Sequence, residues 1–455
     1  MNRIASRSKF SLILAGLLVL GLVLFAGQYG FQAKDWVVFQ GNPHVYSGGN
    51  MNCGIVTDRT GTLLMDATDG REYSDSRLLR EATMHILGDR QGYISAPAIP
   101  TYSDQMVGFD LLNGLYSRNG TGGEAELTLS AEAQKVALEA LGDRKGTVGV
   151  YNYKTGEILC MVSSPTYDPD NVPEVDFDTD EDYEGVFLNR LTQVSYVPGS
   201  IFKLVTTAAA LEELPDVEDM TFYCDGSYQI GGDTVICDGV HGEQTLKEAL
   251  AHSCNSAFAQ LAQRLGGKTL QKYADRFKIT EPLTFDGITT AKGNFNVADA
   301  EAVNVAWGAI GQYTDTVNPC RYMTFMGAIA GGGKAAEPYL VSRVSYGGRT
   351  RYQASTTSTG RLMSQAAAET LADWMHNNVV SIYGEGNFPG LTVCAKTGTA
   401  QVGGGKDPNA TFSGFVMDEQ YPLAFIVVVE NGGSGYRACI PIISQVLQAC
   451  VEDMQ

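Results

Sequence analysis

The chain has 455 residues, 44 % of them hydrophobic and 18 % charged. That is globular rather than disordered composition, with room for about two to four domains. A formal net charge of −19 argues against a nucleic-acid partner, and nine scattered cysteines exclude a dense disulfide framework.

The N-terminus departs from that acidity. Arg3, Arg7 and Lys9 precede a run over 10–33 with no charged residue, most apolar over 12–26. A helix needs about 20 mostly apolar residues to cross a bilayer, so the run is just long enough. The reading is a cytoplasmic tail at 1–9 and a single membrane anchor at 10–30. The basic flank places the N-terminus in the cytoplasm and the rest outside. A cleaved signal peptide is the rival, but Leu24 and Ala26 make a poor cleavage site, and Cys53 lies too far on for a lipoprotein.

Residues 34–125 read as a small β-rich pedestal domain, with strand-like pieces at 53–57 and 61–65 between turn clusters. A second domain spans 126–455. It opens with a strand at 126–128, and Ser130 then caps a helix through Leu141. A hairpin follows, with strands at 147–153 and 157–163 around a turn at 154–156. Residues 164–190 are acidic and loop-like. Helical spacing then dominates near 200–213, 245–265, 299–312, 319–330 and 364–379, and Thr245 with Glu248 forms a capping-box pattern. Strands return at 391–398, 411–417 and 423–430, before a last helix at 442–451. This order predicts an α/β (α+β) domain whose central, mainly antiparallel sheet is built from both ends of the segment, with a helical block inserted. Cys224 and Cys237 bracket a short Gly-rich turn and form a disulfide candidate; two free thiols are the alternative. No His/Cys cluster has zinc spacing.

Three short strings carry the chemistry. In Pro198-Gly199-Ser200-Ile201-Phe202-Lys203, Ser200 sits in the first turn of a helix, and Lys203 shares its face. A serine hydroxyl needs a base within hydrogen-bond reach. A lysine serves only when burial or nearby positive charge lowers its pKa, and the apolar run 204–211 predicts that burial. In Ser253-Cys254-Asn255, at a helix–helix junction, a second hydroxyl can relay a proton and an amide can align a substrate amide. In Lys396-Thr397-Gly398-Thr399, on a strand, a cation and two hydroxyls can grip a carboxylate. Gly398 lets substrate approach, and the Thr399 N–H can serve an oxyanion. Each string alone is weak: a capping serine beside a surface lysine, or an N-cap pair, explains the first two. Lys154-Thr155-Gly156 repeats the third string, but it fills a hairpin tip before Ser200 and is assigned to the turn.

In this order the three strings match the motif set of serine β-lactamases and penicillin-binding proteins. The chain resembles the class B penicillin-binding proteins, the single-function cell-wall transpeptidases, in "GEILCMVSSPTYDPD", "NRLTQVSYVPGSIFKLVTTAAALEE", "SCNSAFAQLA" and "CAKTGTAQ", and in the pedestal string "GIVTDRTGTLL". The short pedestal resembles members serving elongation, division or sporulation. The resemblance implies a penicillin-binding-protein fold and a peptidoglycan D,D-transpeptidase acting on stem peptides and trapped by β-lactams. In that reading Ser200 is the nucleophile and Lys203 the base. Ser253 is the proton relay and Asn255 aligns substrate, while Lys396, Thr397, Gly398 and Thr399 bind it. It implies no cofactor and no metal, and a polytopic lipid-II polymerase of the SEDS type as partner. Two stretches depart from the family's text, Ile310-Gly311-Gln312-Tyr313 and Thr411-Phe412, and are expected to reshape the cleft rim. Rival readings are a β-lactamase or β-lactam sensor, for which the glutamate string 184–189 is misplaced, and a catalytically silent scaffold. D,D-carboxypeptidase side activity stays open.

Overall fold

A computed structural model describes residues 2–68, 70–110, 114–115 and 122–455. Helix α1 (Asn2–Val37) contains the apolar run, with a mean hydropathy of 2.6 over its most apolar window and none of that window buried. It is longer than the predicted anchor because both 2–9 and 31–37 belong to the same helix. At about 1.5 Å per residue it exceeds a hydrocarbon core of about 30 Å, so part of it stands outside. Its last carbonyl, Val37 O, accepts from Asn42 Nδ2 at 2.6 Å, and Lys34 pairs with Asp104 at 3.0 Å.

The N-terminal unit is built on a six-stranded sheet in the order Arg349–Gln353, Val341–Tyr346, Glu124–Leu127, Ile55–Thr57, Leu63–Asp66, Glu72–Tyr73. The strands predicted at 53–57, 61–65 and 126–128 are present with ends shifted by about two residues. The hairpin at 341–353, distant in sequence, completes this sheet. A tie between the halves runs through Asp286. Its carboxylate accepts from Tyr102 Oη at 2.5 Å and from the Leu340 and Val341 N–H groups at 2.6 and 3.0 Å. The helix α2 (Arg77–Leu87), capped by Ser76, was not predicted, although its apolar residues recur at helical spacing.

Helix α3 (Ala131–Leu141) starts on Ser130, whose side chain accepts from Ala133 N, as predicted. Strands β1 (Gly146–Asn152) and β2 (Ile158–Ser164) form the predicted hairpin. The helical block contains α4 (Lys203–Glu213), α5 (Leu246–Ala251), α6 (Asn255–Leu265), α7 (Pro319–Ala330) and α8 (Gln365–Asn378). Strands β3 (Val393–Ala400), β4 (Asn409–Val416) and β5 (Leu423–Val429) then close a five-stranded antiparallel sheet in the order β2-β1-β5-β4-β3. Strands from the two ends of the domain therefore meet at β1 and β5, and β3 is left as an edge. All residues of β1, β2, β4 and β5 are buried, which requires cover on both faces. Helices α3 and α9 (Gly435–Asp453) supply one layer, and α7 lies in the other.

Local differences from the expectations have local causes. The predicted helix 245–265 is two helices, because Ser253 adopts a left-handed φ of 56° and breaks the run. The capping box of Thr245 and Glu248 is complete. The last helix begins at Gly435 rather than 442 and contains Pro441, which reads in sequence as a start. Residues 221–245 form four short strands in two ribbons that carry little apolar signal. There Cys224 and Cys237 are not joined: all nine thiols are free. No His/Cys string has zinc spacing along the sequence, yet separated elements bring Cys224, Cys237, His241 and Cys254 together in space.

Candidate active site

Ser200 lies in a 3-10 turn, Gly199–Phe202, that runs into α4. The turn depends on Gly199, whose φ of 56° disfavours any side chain, and a Cβ there would lie 2.6 Å from Thr399 O. Lys203, one turn on, is fully buried among apolar α4 neighbours, as the run 204–211 predicted. Its Nζ is 3.1 Å from Ser200 Oγ, 2.6 Å from Ser253 O, 3.1 Å from Ser253 Oγ and 2.7 Å from Asn255 Oδ1. The left-handed turn at Ser253 aims both its hydroxyl and its carbonyl at this amine, and such backbone strain is of order 1–3 kcal/mol.

Burial first, and then the positive charge of Lys396, push the Lys203 pKa down to about 7. The contacts fit the neutral amine. Ser253 O and Asn255 Oδ1 can only accept, and they take its two hydrogens. Its lone pair is left for a hydroxyl hydrogen, and Ser200 Oγ is in reach. Asn255 is also held from the other side, where its Nδ2 donates to Ile236 O at 3.0 Å. The amide read as a substrate aligner thus positions Lys203, with one Nδ2 hydrogen left over.

Strand β3 passes along the Ser200 turn by its open edge. The Thr397 N–H donates to Tyr383 Oη at 3.1 Å, away from β4. Residues two apart in a strand face the same way, so the Thr399 N–H points to that open edge as well. The Thr399 carbonyl lies on this side too, accepting from Gln312 Nε2 at 3.4 Å. Gly398 is needed for a different reason from the one expected. A Cβ there would lie 2.8 Å from Pro198 O and 3.1 Å from Ile201 Cγ2, so its bareness lets the nucleophile turn seat on the strand. Lys396 is fully buried, and its Nζ reaches only Thr397 O at 3.2 Å and Tyr383 Oη at 3.5 Å. Burial pushes its pKa down to about 7. Among the described residues it has no carboxylate partner, so an arriving anion would be its first.

The structure therefore brings Ser200, Lys203, Ser253 and Asn255 into one hydrogen-bonded group, with Lys396, Thr397, Gly398 and Thr399 on the facing strand edge. A family model of the penicillin-binding protein transpeptidase domain matches residues 146–448. The chain belongs to the penicillin-binding protein transpeptidase family. Within that family it is similar to the peptidoglycan D,D-transpeptidase PbpA of Mycolicibacterium smegmatis, 29 % identical over 74 % of this chain and 73 % of the relative. Penicillin-binding protein A of M. tuberculosis, solved as a ceftriaxone acyl-enzyme complex, superposes with a TM-score of 0.76 at 26 % identity, covering 87 % of this chain and 98 % of that one. A peptidoglycan synthase complex, solved in a study of coordinated polymerization and crosslinking, matches with a TM-score of 0.63 at 25 % identity, over 72 % of this chain and 63 % of that one.

The two stretches that depart from family text behave differently. Gly311 supports the nucleophile turn: its carbonyl accepts from Gly199 N at 2.9 Å, and a Cβ on it would collide with Gly199 O. Gln312 does sit at the rim, against Thr399. Thr411 and Phe412 are buried inside the sheet, so they do not shape the rim as expected. Lys154-Thr155-Gly156 lies at the tip of the β1–β2 hairpin, where Lys154 pairs with Glu419 at 2.6 Å. Tyr383, which sequence reasoning missed, comes from the π-helical turn Val379–Tyr383 and also contacts Thr397 Oγ1 at 3.0 Å. No string marks it, because its partners are 13 and 14 residues away on another element.

Proposed function

We propose that this chain is a membrane-anchored, serine-acylating peptidoglycan D,D-transpeptidase of the class B type, and that β-lactams acylate Ser200. The observation that carries the reading is the buried Lys203 amine, held between Ser200 Oγ and the Ser253 turn beside the β3 edge. Ser200 Oγ attacks the penultimate D-Ala carbonyl of a stem peptide, and its proton passes to Lys203 Nζ. The N–H groups of Ser200 and Thr399 hold the oxyanion. The peptide C–N bond breaks, and Lys203 returns a proton through the Ser253 hydroxyl to the leaving D-Ala amine. An amine from a second stem peptide then attacks the ester. Its proton passes to Lys203, the ester C–O bond breaks, and Lys203 returns a proton to Ser200 Oγ with the cross-link made. Lys396, Thr397 and Thr399 hold the terminal carboxylate, and Asn255 aligns the peptide. Water in place of the amine would give D,D-carboxypeptidase activity at the same residues.

The division we propose is a tail at 1–9, an anchor at 10–30, a pedestal at 34–125 and the transpeptidase domain at 126–455. The tail is cytoplasmic and the catalytic domain extracytoplasmic. The basic residues before the apolar run support that orientation. A polytopic lipid-II polymerase of the SEDS type is the proposed partner, supported by the likeness to a synthase complex. The test is the intact mass of the full-length protein after incubation with benzylpenicillin. A stable adduct on the wild type that Ser200→Ala lacks is the expected result. An adduct on Ser200→Ala, or none on folded wild type, would refute the assignment. Rapid loss of intact drug without an adduct would instead support the β-lactamase reading.

A further inference from the structure

Directly behind the Ser253-Cys254-Asn255 turn, Cys254 Sγ meets two more thiols and an imidazole. Cys224 ends the strand Thr221–Cys224, and Cys237 follows the strand Asp233–Ile236. His241 lies just before the strand Gly242–Thr245, and Cys254 is the N-cap of α6. The Cys237 and Cys254 sulfurs are 3.8 Å apart, and His241 Nδ1 is 3.5 Å from Cys224 Sγ and 3.6 Å from Cys237 Sγ. All four donor atoms lie within 4.8 Å of one another, and the three thiols are buried.

These separations are not those of a disulfide, whose S–S length is about 2.05 Å. They match the edges of a tetrahedron of donors around a metal. Two Zn–S bonds of about 2.3 Å at the tetrahedral angle span about 3.8 Å, and a Zn–S with a Zn–N bond spans about 3.5 Å. Three thiolates and one imidazole suit zinc, whereas magnesium, calcium and manganese prefer oxygen donors. With four protein donors the sphere is closed, which is the mark of a structural site rather than a catalytic one.

The surroundings supply independent reasons for a metal. The 221–245 region consists of two ribbons of four-residue strands, and such hairpins are marginal without a further clamp. Cys254 caps α6 only by a sulfur acceptor, 3.4 Å from Ala257 N, where Ser or Asp would cap better than a neutral thiol. A metal-bound thiolate makes that contact charge-assisted. The His241 ring stacks on His252, with centroids 5.4 Å apart and planes at 7°, which orients it. Asn255 Nδ2 holds Ile236 O, the carbonyl just before Cys237, so the cluster and the Lys203 site share one piece of backbone.

We propose that Cys224, Cys237, His241 and Cys254 bind a structural zinc ion that fixes the Ser253-Cys254-Asn255 turn beside Lys203. On binding, the three thiols release their protons to solvent, and three Zn–S bonds and one Zn–N bond form. Zinc binding does not depend on the transpeptidase reading. Its effect on acylation does rest on that reading, and the two are measured separately.

The experiment uses the full-length chain purified in detergent from zinc-supplemented cells. Elemental mass spectrometry should give about one zinc per chain. Replacement by Co²⁺ should give near-ultraviolet thiolate-to-cobalt charge-transfer bands and the intense visible bands of a tetrahedral centre. Cys224→Ser and His241→Ala should lower the metal content, while the wild-type measurements stand even if these variants fold poorly. Wild type that holds no zinc and binds no Co²⁺ would overturn the site, as would a Cys224–Cys237 disulfide in peptide mapping. Unchanged zinc content in a folded Cys224→Ser/Cys237→Ser protein would do the same. Chelation should slow acylation by benzylpenicillin at least about tenfold, with recovery on adding zinc. Full zinc loading with an acylation rate indifferent to chelation would keep the site and overturn its positioning role.

Discussion

If Lys203 is the base, its protonation state sets the pH dependence of acylation. As a neutral amine it gives its two hydrogens to Ser253 O and Asn255 Oδ1 and turns its lone pair to Ser200 Oγ; as an ammonium it has no lone pair to offer. With a pKa of about 7, the neutral fraction is roughly 0.1 at pH 6 and roughly 0.9 at pH 8. The limiting rate of acylation at saturating benzylpenicillin should therefore rise about tenfold over that span and then level off. Saturation matters because, on the proposed reading, a bound drug's carboxylate pairs with Lys396 and holds it protonated, which removes the opposing limb. At low drug concentration both lysines titrate as a coupled pair, and the second-order rate should be bell-shaped. Quenched-flow intact-mass measurements give both rates. Lys396→Gln removes the positive charge that helps depress Lys203, so the rising limb should move to higher pH despite weak binding. A limiting rate that is flat from pH 6 to 9, or that falls with pH, would show that Lys203 is not the base.

Three further outcomes follow from the same contacts. Lys396 has a pKa of about 7 in the fold against an ordinary 10.5, so the unfolded chain binds the extra proton. The resulting penalty on folding is fully present below about pH 7 and disappears as pH rises toward 10.5. Lys396→Met should raise stability at pH 7 by a few kcal/mol and flatten the rise of Tm between pH 7 and 9, at the expense of drug binding; an unchanged Tm profile would contradict the burial argument. Gly398→Ala should push the Ser200 turn off β3, with a loss of about 1–3 kcal/mol in stability and more than about tenfold in acylation rate. Wild-type acylation kinetics in that variant would count against the close contact. Tyr383→Phe leaves the Thr397 N–H without its acceptor, which should destabilise the protein by about 1–3 kcal/mol. It should also weaken the apparent affinity for penicillin more than the limiting rate, as resolved by the concentration dependence of acylation.

The sheet was legible because its strands are rich in apolar residues and flank the helical block on both sides, which predicted one sheet built from both ends of the domain. The burial of Lys203 was legible too, since the residues after it on α4 are almost all small or apolar. What stayed hidden came from contacts between segments with no periodic signal. Tyr383 sits in a π-helical turn whose residues resemble any helix end. Cys224, Cys237, His241 and Cys254 lie on short ribbons and a helix cap, so no compact Cys/His string announces them; only the Cys237-x-x-x-His241 pair was there to notice. Thr411 and Phe412 were misplaced to the rim because a change in familiar text says nothing about which way a strand residue faces.

The three motif strings supply reactive groups, but their mutual positions are set by backbone against backbone. Gly199 leaves room for Thr399 O, Gly311 for Gly199 O, Gly398 for Pro198 O, and Gly435 at the start of α9 for Thr411 O and Gly398 O. These contacts form a chain from Gly311, just after the helix Ala302–Ala309, through the nucleophile turn and β3, to the last helix. Side chains can repack around a shifted neighbour, whereas carbonyl oxygens seated against Cα atoms cannot yield without moving the strand or the turn. By the proposed mechanism, acyl transfer needs Ser200 Oγ, Lys203 Nζ and the Thr399 N–H held to within about half an ångström. A glycine-lined junction provides that precision on rigid elements, while the charged and hydroxyl groups stay free to exchange protons. On this view the glycines are as much a part of the machinery as the lysines. They tie the α4 side of the site to β3, and the Ser253 turn, which has no such glycine seat on β3, is the member that needs a separate clamp.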